Sequence, residues 1–335
     1  MNKNKFRIGF IGAGSIGTLF GGYLASIKSE KYSVEVILFC NEKHAEAINN
    51  NGLILNVDLE IKEIRNIRAF ESPDKFIGAL FQESESSFDF LFLTTKTYDI
   101  ERALTQYKKL IDSCKWLVVL QNGVGNEDVV KQYCLPEKII RGVTSNGVIL
   151  EQPGRILHTG KGITKIGFPF TSKLNLGNKS SEDARRDLNY LTELLNISGL
   201  KTVCVGDIIK ESWEKVFVNI GINAFGALTR LKNGQLLQNE SLKLLMGEAV
   251  KEAIRVAELK KVNLSNADYL GIMYDVAEKT SENKNSMLQD VLKGKSTEID
   301  YINGKIVKYA QELGIQVPIN ETLTYLIKGL EQSLN

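Results

Sequence analysis

The chain divides by the rhythm of its apolar positions. In the first part, short unbroken apolar runs alternate with segments of helical period. Runs at 6–11, 34–39, 88–94 and 116–121 read as buried strands, with a further short one at 53–56. Segments 15–26, 42–49 and 100–111 read as the helices between them. This alternation implies an α/β domain with a parallel, doubly wound, Rossmann-type sheet. Stretches 142–149 and 164–168 look like further strands, and 171–183, polar and rich in Gly, Ser and Asn, like an exposed loop. From about residue 208 only helical periods remain, at 211–228, 241–260, 266–279, 298–313 and 320–332. A boundary near Asp207 therefore separates an α/β domain, 1–207, from an all-α domain, 208–335.

The first strand runs into Gly12-Ala13-Gly14-Ser15-Ile16-Gly17, which opens the first helix. In this context the three glycines have separate reasons. The first permits the tight turn, the second lets a pyrophosphate approach the backbone, and the third lets helix and strand pack closely. The helix N-terminus favours the anion. Residues 12–17 are thus the expected dinucleotide loop, and 1–207 the dinucleotide-binding domain.

The second strand ends at Phe39-Cys40-Asn41, where an acid would select the ribose hydroxyls of NAD. No acid stands there; Glu42 starts the next helix, and Lys43 either meets a 2′-phosphate or is a solvated surface residue. The pattern leans toward NADPH, with NADH open. Lys96 and Asn122 follow the ends of two later strands, where ligands of doubly wound sheets lie. Each is equally accounted for as a cap or turn residue.

Segment 211–228 is apolar all round, which marks a buried helix. Within it Lys215, Asn219 and Asn223 recur every fourth residue and share one stripe. Buried polar groups need partners or a cavity, and a substrate site supplies both. Further on, Ser286 stands in SMLQD and Glu298 in GKSTEIDYING. Residues 294–297 read as a loop, with Ser296 or Thr297 capping a helix that starts at Glu298. A first-turn acid is favoured by the helix dipole alone, so position does not distinguish a structural Glu298 from a catalytic one.

Composition narrows the classes. The 335 residues are 43% hydrophobic and 24% charged, with a formal net charge of +2. That is an ordinary globular balance with no strong field for nucleic acid or an anionic membrane. No apolar run approaches the roughly 20 residues that span a bilayer. The N-terminus, with Lys3, Lys5 and Arg7, leads into a strand ending in glycines rather than a signal-peptide core. A cytoplasmic protein is expected. Cys40, Cys114, Cys134 and Cys204 form no CxxC pair and read as buried free thiols, so no metal site is expected. His44 and His158 are the only histidines. Each reads as a surface or satisfied structural side chain.

Taken together, the GAGSIG loop, Lys96, the QNGVG segment from Gln121, Lys215 with Asn219 and Asn223, the SMLQD–GKSTEIDYING stretch and Pro318-Ile319-Asn320 resemble the ketopantoate reductase (2-dehydropantoate 2-reductase) family nearly end to end. The resemblance implies NADPH-dependent reduction of 2-dehydropantoate to (R)-pantoate, in pantothenate and coenzyme A synthesis. By it, Lys215 donates the proton to the carbonyl oxygen and Glu298 sits beside it, also touching the cofactor. Asn219, Asn223 and Ser286 hold the substrate, while Asn122 and Lys96 line the cofactor–substrate crevice. A small-molecule substrate and a monomer or homodimer are implied. One departure is Asn41, where the family usually has an Arg for the 2′-phosphate; Lys43 is the substitute, or NADH is accepted. Two alternatives stand: a reductase of another small 2-oxo acid, and a non-catalytic NADP-binding redox sensor. The retention of the full residue set speaks against the sensor.

Overall fold

A computed structural model describes residues 3–58, 60–79, 87–170 and 179–333. The chain falls into two compact units, Met1–Gln121 with Asn126–Ile208, and Asn122–Gly125 with Ile209–Asn335.

Among the described residues, the first unit is built on an eight-stranded sheet. Its strands are β1 (Asn4–Ile11), β2 (Tyr32–Phe39), β5 (Ile67–Phe70), β6 (Phe90–Leu93), β7 (Trp116–Val119), β8 (Ile139–Thr144), β11 (Thr164–Gly167) and β12 (Thr202–Cys204). The spatial order is β12-β11-β8-β7-β6-β1-β2-β5, and neighbours are parallel except β11 against β8. The central strands explain the unbroken apolar runs. Phe90–Leu93 and Trp116–Val119 are buried at every position, as strands covered on both faces must be.

Helices supply that cover. One face packs α1 (Ser15–Ala25) and α7 (Lys179–Ser198) through Leu19, Phe20, Leu191 and Leu195. The other packs α4 (Ile100–Gln106) and α5 (Lys108–Ser113) through Ile100, Leu104, Leu110 and Ile111. The expected helix over 100–111 is thus two, meeting at Tyr107.

Four short strands form a second sheet absent from the sequence reading. They are β3 (Leu53–Val57), β4 (Glu60–Ile64), β9 (Gly147–Gln152) and β10 (Arg155–Gly160), in the order β4-β3-β10-β9. The single strand expected over 142–149 is therefore divided between two sheets. The break falls at Ser145 and Asn146, whose side-chain oxygens accept the Ile163 and Gly162 N–H groups. In the expected loop over 171–183, residues 179–183 are the first turns of α7; 171–178 lie outside the described residues.

The second unit is helical: α8 (Ile208–Thr229), α9 (Asn233–Leu237), α10 (Glu240–Leu259), α11 (Tyr269–Lys279), α12 (Ser286–Leu292), α13 (Asn303–Leu313) and α14 (Pro318–Gln332). Its core gathers Trp213, Phe217, Ile220 and Phe225 of α8 with Val250, Met273, Ile306, Ile327 and Val124. The helix expected from Glu298 begins only at Asn303. Ahead of it Ile299–Tyr301 is a 3-10 turn, with Tyr301 N–H donating to Glu298 O at 3.0 Å. The Tyr301 carbonyl leaves the helical direction and lies against Gly123, where an added Cβ would meet it at 2.3 Å. Among the described residues no helix is long and apolar enough to cross a membrane.

Candidate active site

In the first unit, the glycine loop leaves β1 at Gly12, whose φ of +72° suits glycine. A Cβ there would stand 2.8 Å from the Thr95 backbone, and one at Gly17 would stand 2.4 Å from Thr94 Oγ1. The first and third glycines are thus required by the protein's own packing. The middle one differs. Gly14 is exposed, and a Cβ on it would meet only Gly12 O, at 3.9 Å. That open side is the approach a diphosphate needs. The α1 N-terminus behind it has no side-chain cap and no acid in its first turn, so its N–H groups and dipole remain for an anion. Ser15 and Ile16 are half-buried in that turn, and Ala13 N–H donates to Phe39 O at 2.8 Å.

At the end of β2, Asn41 caps α2 (Glu42–Asn51): its Oδ1 accepts the His44 N–H at 3.0 Å. Lys43 is exposed in the first turn. Lys96 is half-buried just beyond β6, its carbonyl accepting the Asp99 N–H at 3.0 Å.

Sequence reading missed Arg141. It is 1% exposed on β8, and its guanidinium donates to Val119 O, Gln121 O and Gly142 O at 2.8–2.9 Å. The buried Glu127 carboxylate lies 3.6 Å from its Nε. Arg141 thus ties two carbonyls at the end of β7 to one on its own strand. A lone Arg in an apolar strand sequence was the available signal.

The second unit gathers Asn122, Lys215 and Glu298. Lys215 Nζ donates to Asn122 Oδ1 at 2.7 Å, and Asn122 Nδ2 donates to Glu298 Oε2 at 3.0 Å. Glu298 is 6% exposed. Asn122 is presented by a turn with two left-handed glycines, Gly123 at φ +87° and Gly125 at +77°. The first packs on the Tyr301 carbonyl and the second on Tyr309 and Lys305. One and two turns along α8 from Lys215 come Asn219, half-buried, and Asn223, 4% exposed. Neither makes a side-chain hydrogen bond to a described residue, so both retain donors and acceptors for a ligand. Ser286 is exposed at the first position of α12. It is held there by Asn285, which caps α12 at Leu288 N–H (2.9 Å) and donates to Ile222 O of α8 (3.3 Å).

The comparisons with known proteins agree with one another. Residues 8–169 match the family model described as "Ketopantoate reductase PanE/ApbA", and residues 207–331 match "Ketopantoate reductase PanE/ApbA C terminal". The chain belongs to the ketopantoate reductase family. It is an oxidoreductase. A 2-dehydropantoate 2-reductase of Pyrococcus abyssi is 35% identical over 97% of this chain and 98% of its own length. One from Archaeoglobus fulgidus is 32% identical over 98% and 99%. Among solved structures, a PanE/ApbA family ketopantoate reductase from Ralstonia eutropha JMP134 superposes with a TM-score of 0.80, at 26% identity over 98% of this chain and 99% of that one. D-mandelate dehydrogenase with NADH and anilino(oxo)acetate gives 0.82 at 26% identity, over the same shares.

The other reactive side chains are the four cysteines and two histidines. The cysteines are free, and only Cys114 is fully buried; Cys204 is exposed, contrary to expectation. Burial pushes the Cys114 thiol up to about 12, which removes it as a nucleophile. His44 and His158 are both buried, and burial lowers both. Among the described residues no group of three His, Cys, Asp or Glu side chains is arranged to hold a metal.

Proposed function

We propose that this protein reduces 2-dehydropantoate to (R)-pantoate with NADPH, Lys215 being the proton donor. The hydrogen-bonded set Lys215–Asn122–Glu298, with two unengaged asparagines further along α8, carries this reading. Residues 12–17 would hold the dinucleotide, which would supply a hydride for the substrate's carbonyl carbon. The residues of the second unit do the rest. As the carbonyl carbon is reduced, negative charge grows on the oxygen. The Lys215 ammonium stabilises that charge and passes its proton to the oxygen, giving the alcohol. Asn122 fixes the direction of Lys215, and Glu298 fixes Asn122. Asn219, Asn223 and Ser286 offer uncharged hydrogen-bonding groups to the hydroxyl and carboxylate of the substrate.

Lys43 and the amide of Asn41, whose oxygen is committed to the α2 cap, are the groups offered to a 2′-phosphate. Lys96, Asn122 and Glu298, the last bonded to Asn122, are the further groups offered to the cofactor. These roles divide the chain into a dinucleotide-binding part, 1–207, and a substrate part, 208–335.

A second reading, another small 2-oxo acid reduced with NADH, is favoured by the likeness to D-mandelate dehydrogenase and by the lack of a cation at Asn41. The test is oxidation of NADPH and NADH by the purified protein with 2-dehydropantoate and a panel of other 2-oxo acids. Turnover chiefly with 2-dehydropantoate and NADPH is the expected result. Faster turnover of another 2-oxo acid replaces the substrate, and none with any acid overturns the enzyme reading.

A further inference from the structure

We propose that His44 is a positioning residue for the dinucleotide, fastening the glycine loop to the start of α2 through one fixed neutral tautomer. The inference rests on dinucleotide binding at residues 12–17 and not on which 2-oxo acid is reduced.

A peptide N–H can only donate. Gly154 N–H, in the turn between β9 and β10, meets His44 Nδ1 at 2.8 Å, so Nδ1 carries no proton. The proton is therefore on Nε2, which donates to Thr18 Oγ1 at 3.0 Å. The Thr18 hydroxyl then passes its own hydrogen to Ala13 O at 3.1 Å. The relay ends on a carbonyl of the glycine loop, beside the open face of Gly14. From the same residue the backbone N–H goes to the Asn41 side chain at the end of β2. One residue thus holds the turn that receives the diphosphate and the strand end that receives the ribose. Both relay side chains are sealed from water, His44 at 1% and Thr18 at 0% exposure, so water cannot replace a lost bond.

Protonation would break the arrangement, because a hydrogen on Nδ1 would face the Gly154 N–H. Burial opposes this and lowers the His44 pKa. Charged neighbours are arranged away from the ring. α1 carries none, and Glu42, Lys43 and Glu46 of α2 are exposed. Glu151 and Arg155 of the hairpin pair with each other, and Arg68 of β5 pairs with Glu35.

The test is the dissociation constant of NADP+ and of NAD+, by titration, for wild type, His44→Gln, His44→Asn and His44→Phe. Melting curves establish that each variant is folded. Glutamine keeps a donor for Thr18, asparagine only an acceptor for Gly154, and phenylalanine neither. Phe and Asn are expected to weaken binding about tenfold, the change that loss of one buried hydrogen bond produces, and Gln to restore most of it. A merely structural tie to the hairpin predicts the reverse order for Asn and Gln. Wild-type affinity should also fall on acidification below the ordinary histidine range, relative to His44→Gln titrated with the same nucleotide. Equal affinities across the variants, or parallel pH profiles for wild type and His44→Gln, overturn the proposal while leaving dinucleotide binding intact. A wild type that binds neither nucleotide overturns both. Should His44→Phe fail to fold, the Gln and Asn variants and the pH profile still decide.

Discussion

Asn122 accepts a hydrogen bond from Lys215 at 2.7 Å while its amide donates to Glu298 at 3.0 Å. A carboxamide offers an acceptor and a donor on one rigid plane, so a single side chain holds a cation on one side and an anion on the other. A carboxylate in its place would repel Glu298, and an ammonium would repel Lys215.

Asn122→Ala is expected to reduce kcat by about 10²-fold, because loss of orientation at the reacting groups is worth that much. Nucleotide affinity should change much less. The readout is kcat for reduced-nucleotide oxidation beside the nucleotide dissociation constant; an unchanged kcat would remove Asn122 from the active arrangement.

Lys215→Ala removes the proton donor. Turnover should drop by roughly 10²-fold or more, the usual worth of general acid catalysis, with nucleotide binding nearly intact. Activity close to wild type would transfer the proton donor's role to another group.

Lys43→Ala separates the two nucleotides. If this exposed lysine reads the 2′-phosphate, the variant should bind NADPH several-fold more weakly and NADH as before. Equal effects on both would exclude Lys43 as the selector.

Gly226→Ala provides a test with opposing signs. Helix propensity alone would make alanine better by about 1 kcal/mol in the interior of α8. A Cβ there, however, would stand 2.1 Å from Asn285 Nδ2, in a side chain bonded at both ends of its amide. A net loss of about 1–2 kcal/mol is expected, since overpacking costs more than propensity returns. Denaturant unfolding measures it, and a stabilised variant would show that Asn285 moves freely.

Acid should destabilise the fold through its two histidines. Burial holds His44 and His158 below their ordinary 6.5, so below that pH the unfolded chain binds protons the folded one refuses. Stability is full above about pH 6.5 and falls as the pH drops toward the folded values, by up to about 1.4 kcal/mol per pH unit for each histidine. His158→Gln should remove about half of that slope below about pH 6.5. A slope unaltered by the substitution would assign the acid sensitivity elsewhere.

Legibility in the sequence followed the range of the physics. The buried strands at Phe90–Leu93 and Trp116–Val119 were readable because burial on both faces leaves an unbroken apolar run. The α8 stripe was readable because period alone places Lys215, Asn219 and Asn223 on one side. The second sheet was not, since its strands are short and partly exposed and its two hairpins join across about a hundred residues, where Arg155 pairs with Ile54. Glu298 was misread as a helix start because nothing local announces that the Tyr301 carbonyl turns toward Gly123.

By itself the sequence determined the glycine turn, the rhythm of strands and helices and the set of chemical groups, all governed by dihedral preference and side-chain period over a few residues. Tertiary structure decided which of those groups meet. Asn122 is 93 residues from Lys215 and 176 from Glu298, and only packing in the helical unit brings their side chains within hydrogen-bond reach. The tautomer of His44 was decided the same way. It depends on a peptide N–H 110 residues away at Gly154, which no local pattern encodes.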